Sequence, residues 1–388
     1  MKISRRMAAL VPAIAIALAA CTPGGGATQP PAASPAPVDG GSPSPADGAS
    51  PSPADGASPS PADGASPSPG DGASPSPGAG TGECVVGVSW NNYQQPRWAK
   101  ADEPAIQAAI EAGGGSYIRA DARDSEDQQL TDIDNLINQG ANVLIVLAKD
   151  NVAILPAIEN AKNAGIPVIG YDRLIEDEEV FYITFDNKGV GRAMAEVMLQ
   201  QVPEGNYVII KGHRADPNAD FLRDGMTEAG IPAPGESSDT INIVFEDYTD
   251  GWRTEAAQEN MEAALAASNN EVDAVLSEND SMAIGVVAAL DRVGLAGTVP
   301  VSGQDGDEAN LNNVARGLQL VDVWKDAFAL GETAGNAAIQ LCNGAALDEI
   351  TAPDTLRDHV APEAGPEAQE FTTPDGTTVQ SITLKPTP

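Results

Sequence analysis

Two runs constrain this chain more than any other feature: residues 143–147 are apolar without a break, and residues 166–170 nearly so. A strand drops the alternation of apolar and polar residues only when both of its faces are covered, which is the setting of a parallel sheet between helices. The neighbouring segments have helical period. Leu130, Ile133, Leu136 and Ile137 share one face, Ser125 stands three residues before Gln128 as in a capping box, and Gly140 suits a C-terminal cap. Strand candidates at 85–88, 117–118, 143–147 and 167–171 alternate with helix candidates at 105–112 and about 152–164. Strand–helix–strand order of this kind predicts a parallel sheet with right-handed crossovers. A second series follows residue 187, with helices at about 189–201, 219–229, 253–267 and 281–293 and strands at 207–210, 241–245, 274–276 and 299–302. Two α/β units in succession predict two lobes with a cleft between them.

The first 82 residues have another character. Lys2, Arg5 and Arg6 precede an apolar run over 8–20, and Leu18, Ala19 and Ala20 lead into Cys21. This predicts a secretory signal over 1–20, too short to span a bilayer as a stable helix. A cysteine directly after such residues resembles the bacterial lipobox, so Cys21 is the expected lipidation site. Residues 21–82 repeat the unit Ser-Pro-Ser-Pro-Ala-Asp-Gly-Ala from Ser42 onward and hold almost nothing bulky to bury. Such a segment cannot offset its chain entropy by folding and is expected to act as a tether. The net charge of −35 disfavours nucleic acid or anionic lipid as a partner. With Cys21 lipidated, Cys84 and Cys342 remain, and an exported compartment permits a disulfide between them. Neither cysteine has a nearby His, and the chain has only His213 and His359, so no metal site is expected. Walker loops, G-x-G-x-x-G turns and G-x-S-x-G elbows are missing from the sequence, and no cofactor is expected.

Polar groups gather where strands end. Tyr171, Asp172 and Arg173 follow the apolar run at 166–170. Arg97 and Trp98 follow the first strand, and Asp186 and Asn187 the fifth. Asp216 and Asn218, then Asp250 and Trp252, then Asn279 and Asp280, then Gln304 and Asp305 follow successive strands of the second unit, with Lys325 where a strand returns to a helix. The carboxyl ends of strands are where open α/β sheets bind ligands. Taken singly, each residue has a plainer reading. Asp172 with Arg173 makes a structural ion pair, Asn279 or Asp305 caps a helix, Trp98 or Trp252 is a half-buried core aromatic, and Arg97 is a surface charge. Capping does not explain why nearly every strand end carries such a group. Together they suit a sugar: carboxylates accept from hydroxyls, Arg and Lys donate, Asn does both, and an indole ring covers the C–H face.

In this order the residues resemble the D-xylose-binding proteins of bacterial ABC sugar importers, and also the glucose/galactose-type receptors of the same periplasmic-binding class. The likeness covers about residues 84–345. Its most specific pieces are residues 171–175 and 302–305. The resemblance implies a type I periplasmic-binding-protein fold, with two doubly wound parallel-sheet lobes joined by three hinge crossings near Asn187, near Asp322 and near residue 352. Residues 83–187 plus 323–352 would form the N-terminal lobe and 188–322 plus 353–388 the C-terminal lobe. Arg97, Asp172 and Arg173 would bind from the first lobe, Lys325 from near the hinge, and Asp216, Asn218, Asn279 and Asp305 from the second. Trp98 and Trp252 would pack on the pyranose. After Ala345 the chain departs from the family pattern, with 379–384 the one plausible final strand.

The expected protein is a monomeric, lipid-anchored, extracytoplasmic receptor. It would close on a monosaccharide, D-xylose before D-glucose, and deliver it to an ABC permease in the membrane. The alternative is a glucose/galactose-type receptor that signals through a membrane sensor. A glycosidase using Asp172 with Asp216 or Asp305 is disfavoured, because an enclosed monosaccharide has no leaving group.

Overall fold

The computed structural model describes residues 83–359 and 367–386. The readings made above for the signal, Cys21 and the tether fall outside them.

The apolar runs form strands, as their composition demands. In the first lobe β1 (Val85–Trp90), β2 (Ser116–Asp121), β3 (Val143–Val146), β4 (Val168–Tyr171) and β5 (Val180–Phe185) alternate with α1 (Glu103–Ala112), α2 (Glu126–Asn138) and α3 (Leu155–Asn163). Every residue of β3, β4 and β5 is buried, which accounts for their largely apolar character. Ser125 caps α2 by accepting from the Gln128 amide.

The chain then passes through Asp186 into α4 (Asn187–Gln201) and the second lobe. This holds β6 (Gly205–Lys211), α5 (Pro217–Ala229), β7 (Ile241–Tyr248), α6 (Thr254–Ala267), β8 (Ala274–Ser277), α7 (Asp280–Arg292), β9 (Ser302–Gln304), α8 (Glu308–Ala315) and β10 (Val321–Val323). α9 (Ala327–Cys342) returns to pack with the first core, and β11 (Gln369–Thr372) and β12 (Thr378–Leu384) end the described chain. No helix among the described residues is long and apolar enough to cross a membrane.

The first sheet has the order β11-β12-β5-β4-β3-β1-β2. In the second lobe β7-β6-β8 is joined to β9-β10 through a parallel bridge between Val275 and Val301. Both lobes therefore share the order 2-1-3-4-5 of a doubly wound sheet, whose ligand crevice lies where that order reverses. The Cys84–Cys342 disulfide ties the start of β1 to the end of α9.

Two expectations are corrected. The described residues after 352 do not join the sheet of the second lobe: β12 pairs in parallel with β5 through Ser381–Tyr182 to Leu384–Phe185, and β11 pairs with β12. Val379, Ile382 and Leu384 are buried there, covering a β5 edge that would otherwise stand open. Among the described residues the third crossing near residue 352 is likewise not found, since Ile350, Ala352 and Leu356 pack in the first core. Among the described residues the chain crosses between lobes at 186–187 and again between β10 and α9.

Candidate functional site

The loops at the carboxyl ends of both sheets close on a small cavity with about 20 Å³ of free space. That is room for about one water molecule, far below the ~300–1,000 Å³ of ligand sites, so a ligand enters only when the lobes part. The cavity brings together all ten residues expected from the sequence: Arg97, Trp98, Asp172, Arg173, Asp216, Asn218, Trp252, Asn279, Asp305 and Lys325. It adds two that were not expected to bind ligand, Gln95 and Gln304, the second noted only as a strand-end residue. Both lie in segments whose neighbours were, and an amide side chain beside charged ones was the available signal.

Arg97 organises the first-lobe half. It precedes a π-helical turn, Trp98–Asp102, and its guanidinium lies 2.8 Å from Asp102, 3.3 Å from Asp172 and 3.3 Å from Asp305. The same group stacks 4.3 Å above the Trp98 ring. Burial works against its charge, but the three carboxylates outweigh it and hold the pKa above the ordinary arginine value. Asp102 also accepts from the Tyr171 hydroxyl at 2.5 Å, so its role is to fix Arg97.

Asp172 and Arg173 do not pair with each other, contrary to the plainer reading of that dipeptide. Asp172 adopts a left-handed backbone, φ 61°, which turns the chain sharply after β4. Its carboxylate faces Arg97. Its carbonyl oxygen accepts from Thr184 Oγ1 at 2.9 Å and from Asn218 Nδ2 at 3.0 Å, the latter across the lobe boundary. Arg173 donates to the Ala148 carbonyl at 3.2 Å, and its Nε lies 3.0 Å from Asp216 Oδ2 in the second lobe.

The second-lobe groups sit at helix N-termini. Asp216 caps α5 by accepting from the Asn218 amide at 3.1 Å, and its other oxygen accepts from Trp252 Nε1 at 3.1 Å. Asn279 caps α7 through the Met282 amide at 2.9 Å. The Trp252 ring reaches the cavity by lying against the backbone of Gly212, where a Cβ would come within 2.1 Å of it. Asp305 follows β9 with φ 111°. At the crossings, Lys325 Nζ donates to Asn187 Oδ1 at 2.8 Å and Asn187 Nδ2 donates to Asn218 Oδ1 at 2.9 Å, so Asn187 ties the two crossings to the site.

Burial raises the Asp216 and Asp305 carboxyls and lowers the Lys325 ammonium, while in each case the opposite charges nearby resist the shift. For both carboxyls desolvation is the larger influence, and the nearby cations do not cancel it.

Four buried polar atoms on the lining have no hydrogen-bond partner: Trp98 Nε1, Asp172 Oδ2, Arg173 Nε and Gln304 Oε1. Arg173 Nε and Asp172 Oδ2 each lie near an opposite charge, but not along a hydrogen-bonding direction. Buried atoms left unpartnered in this way are costly and rare. They are two donors and two acceptors, the complement of a hydroxyl-rich ligand. More open grooves lie between α4, α5 and β11, and along β7, but among the described residues neither contains such an atom.

Comparison with known proteins agrees with this architecture. The periplasmic binding protein domain matches residues 86–346. The D-xylose-binding periplasmic protein of Escherichia coli is 36% identical over 68% of this chain and 79% of its own length. That of Haemophilus influenzae is 34% identical over 66% of this chain and 76% of its own. Among solved structures, an ABC transporter solute-binding protein from Clostridium phytofermentans with bound β-D-glucose is 26% identical, with a TM-score of 0.64 over 78% of this chain and 93% of that one. With its type I fold and its cavity between two lobes, the chain belongs to the periplasmic binding protein family, whose members bind solutes and are not enzymes.

Proposed function

We propose that this chain is the receptor of an ABC sugar importer, binding a monosaccharide, D-xylose in preference to D-glucose, between its lobes and presenting it to a membrane permease. One observation carries the reading: two donors and two acceptors without a hydrogen bond belong, with two indole rings, to the lining of one cavity between the lobes. D-xylose is favoured because the relatives at 36% and 34% identity are named for it, while the relative holding β-D-glucose is 26% identical.

Opening the lobes separates Arg97 from Asp305 and Arg173 from Asp216. Arg97 keeps Asp102 and Asp172 as it opens. Closure on a sugar desolvates these groups and lets its hydroxyls complete their hydrogen bonds; hinge closure of periplasmic binding proteins is a standard example of this motion. A site that satisfies hydroxyls rejects analogues lacking them, since its own polar groups would be left unpaired. Cys21 carries the lipid anchor in this reading, and residues 22–82 are the tether between membrane and receptor.

Calorimetry against a panel of pentoses, hexoses and polyols tests the assignment. D-xylose is expected to bind near 1 µM, about −8 kcal/mol, and more tightly than D-glucose. Tighter glucose binding would change the substrate, and no binding to any sugar would remove the assignment. Mass spectrometry of the mature N-terminus tests the anchor, with a lipidated Cys21 expected.

A further inference from the structure

The turn that presents Asp305 rests on a second pair of carboxyl groups. Gly306 follows Asp305 with φ 84°, and its amide points at two acids at once: Asp280 Oδ2 at 3.1 Å and Asp322 Oδ1 at 3.3 Å. The Asp307 amide donates to the same Asp280 oxygen at 2.8 Å. On the other side of the turn Trp324 lies so close that a Cβ on Gly306 would come 2.5 Å from its ring, so the turn is held from both sides. Asp280 is wholly buried, and the shared Gly306 amide brings its carboxyl beside that of Asp322. Asp322 Oδ2 is buried and has no donor from any other residue.

Two carboxylates cannot hydrogen-bond without a proton between them, and two like charges packed together raise one another's pKa. We propose that Asp280 and Asp322 share one proton, and that this proton holds the Gly306 turn so that Asp305 meets the ligand; both are then positioning residues for the cavity. The inference rests on the reading of that cavity as the sugar site.

The surrounding groups agree with a retained proton. Burial and then its acidic neighbours Asp322 and Asp305 raise Asp280, and burial lifts Asp322 to about 6. Asp307, which follows the turn, is lifted to about 7 by burial and by Asp305. The cations facing this cluster are Arg97, Lys100 and Lys325, which act on Asp305 and Asp307. None of them is a leading influence on Asp280 or Asp322. As pH rises, the pair loses its last proton, the carboxylates repel, and the turn gives way. Affinity is therefore highest while the proton is present and falls on the alkaline side.

Two measurements test this. In infrared difference spectra of wild type minus Asp322→Asn at neutral pH, the carbonyl band of a protonated carboxyl is expected; its absence overturns the shared proton whatever the ligand is. In D-xylose titrations between about pH 6 and about pH 9, wild-type affinity is expected to fall about tenfold more than that of Asp322→Asn, whose amide replaces the shared proton with a permanent donor. Asp307 and Lys325 are present in both chains, so any contribution of theirs cancels in the comparison. Asp280→Asn, with the amide on the other partner, serves if Asp322→Asn does not fold. Parallel pH profiles overturn the positioning role and leave the sugar site standing. A wild type that binds no sugar removes the site reading and the positioning role together, and the infrared band alone then decides the proton.

Discussion

The two lobes hold their site residues by different means. The second lobe uses helix N-termini: Asp216 and Asn279 are the caps of α5 and α7, and Asn218 is the second residue of α5. The first lobe uses loops: Arg97 sits before a short π-helical turn without a side-chain cap, and Asp172 and Arg173 occupy a tight turn after β4. A capping residue works whether or not a ligand is bound, because it satisfies helix amides that would otherwise be orphaned. In the first lobe, Arg97 and Asp102 build a charged platform, and the Asp172 carboxylate stands on it with little other structural work. Capping and ligand binding are thus compatible roles in one lobe, while in the other the two roles fall to different residues.

This contrast predicts a graded series. The largest loss is expected for Arg97→Ala, which strands the wholly buried Asp102 together with Asp172 and Asp305. Breaking a buried pair from one side costs about 3–5 kcal/mol, and this case belongs at the upper end. Chemical denaturation measures it, and a near-normal midpoint would show that the platform does not depend on Arg97. Asp216→Ala comes next, at about 3 kcal/mol, because it uncaps α5, orphans Trp252 Nε1 and leaves Arg173 with only the Ala148 carbonyl. It should lose sugar binding as well, and lost binding at full stability would break the contrast between the lobes. Asn279→Ala removes a single cap and is expected to cost about 1 kcal/mol, with weaker binding. Thermal unfolding and titration of the same sample separate its two roles.

Much of this organisation was legible in the sequence, for identifiable reasons. β3 and β4 announced themselves because strands covered on both faces must be apolar throughout. β9 was read at 299–302 but spans Ser302–Gln304. The apolar signal of Val299 and Val301 lies just ahead of a strand whose own residues are polar, with Ser302 bonded to Ser277. α9 gave little periodic signal because its buried residues are largely alanine and glycine, packed against α1. β12 was legible as a strand, but its place beside β5 was not, because strand pairing is set by which edge lies open in three dimensions. The rim residues were visible as types. Their partners were not: adjacent Asp172 and Arg173 turn to different partners because the left-handed turn at Asp172 separates their directions. Asn187, read as a strand-end residue and a crossing, proved to join Lys325 to Asn218.

Asp172 carries the central claim, that the cavity between the lobes is the sugar site. Glycine is the suitable replacement, because it adopts φ 61° without strain and removes only the carboxylate. Titrating D-xylose into wild type and Asp172→Gly side by side, with unfolding midpoints for both, tests the claim most directly. The expected result is micromolar binding by wild type, none measurable by the variant, and midpoints within about 1 kcal/mol of each other. Equal binding by the two proteins would contradict it.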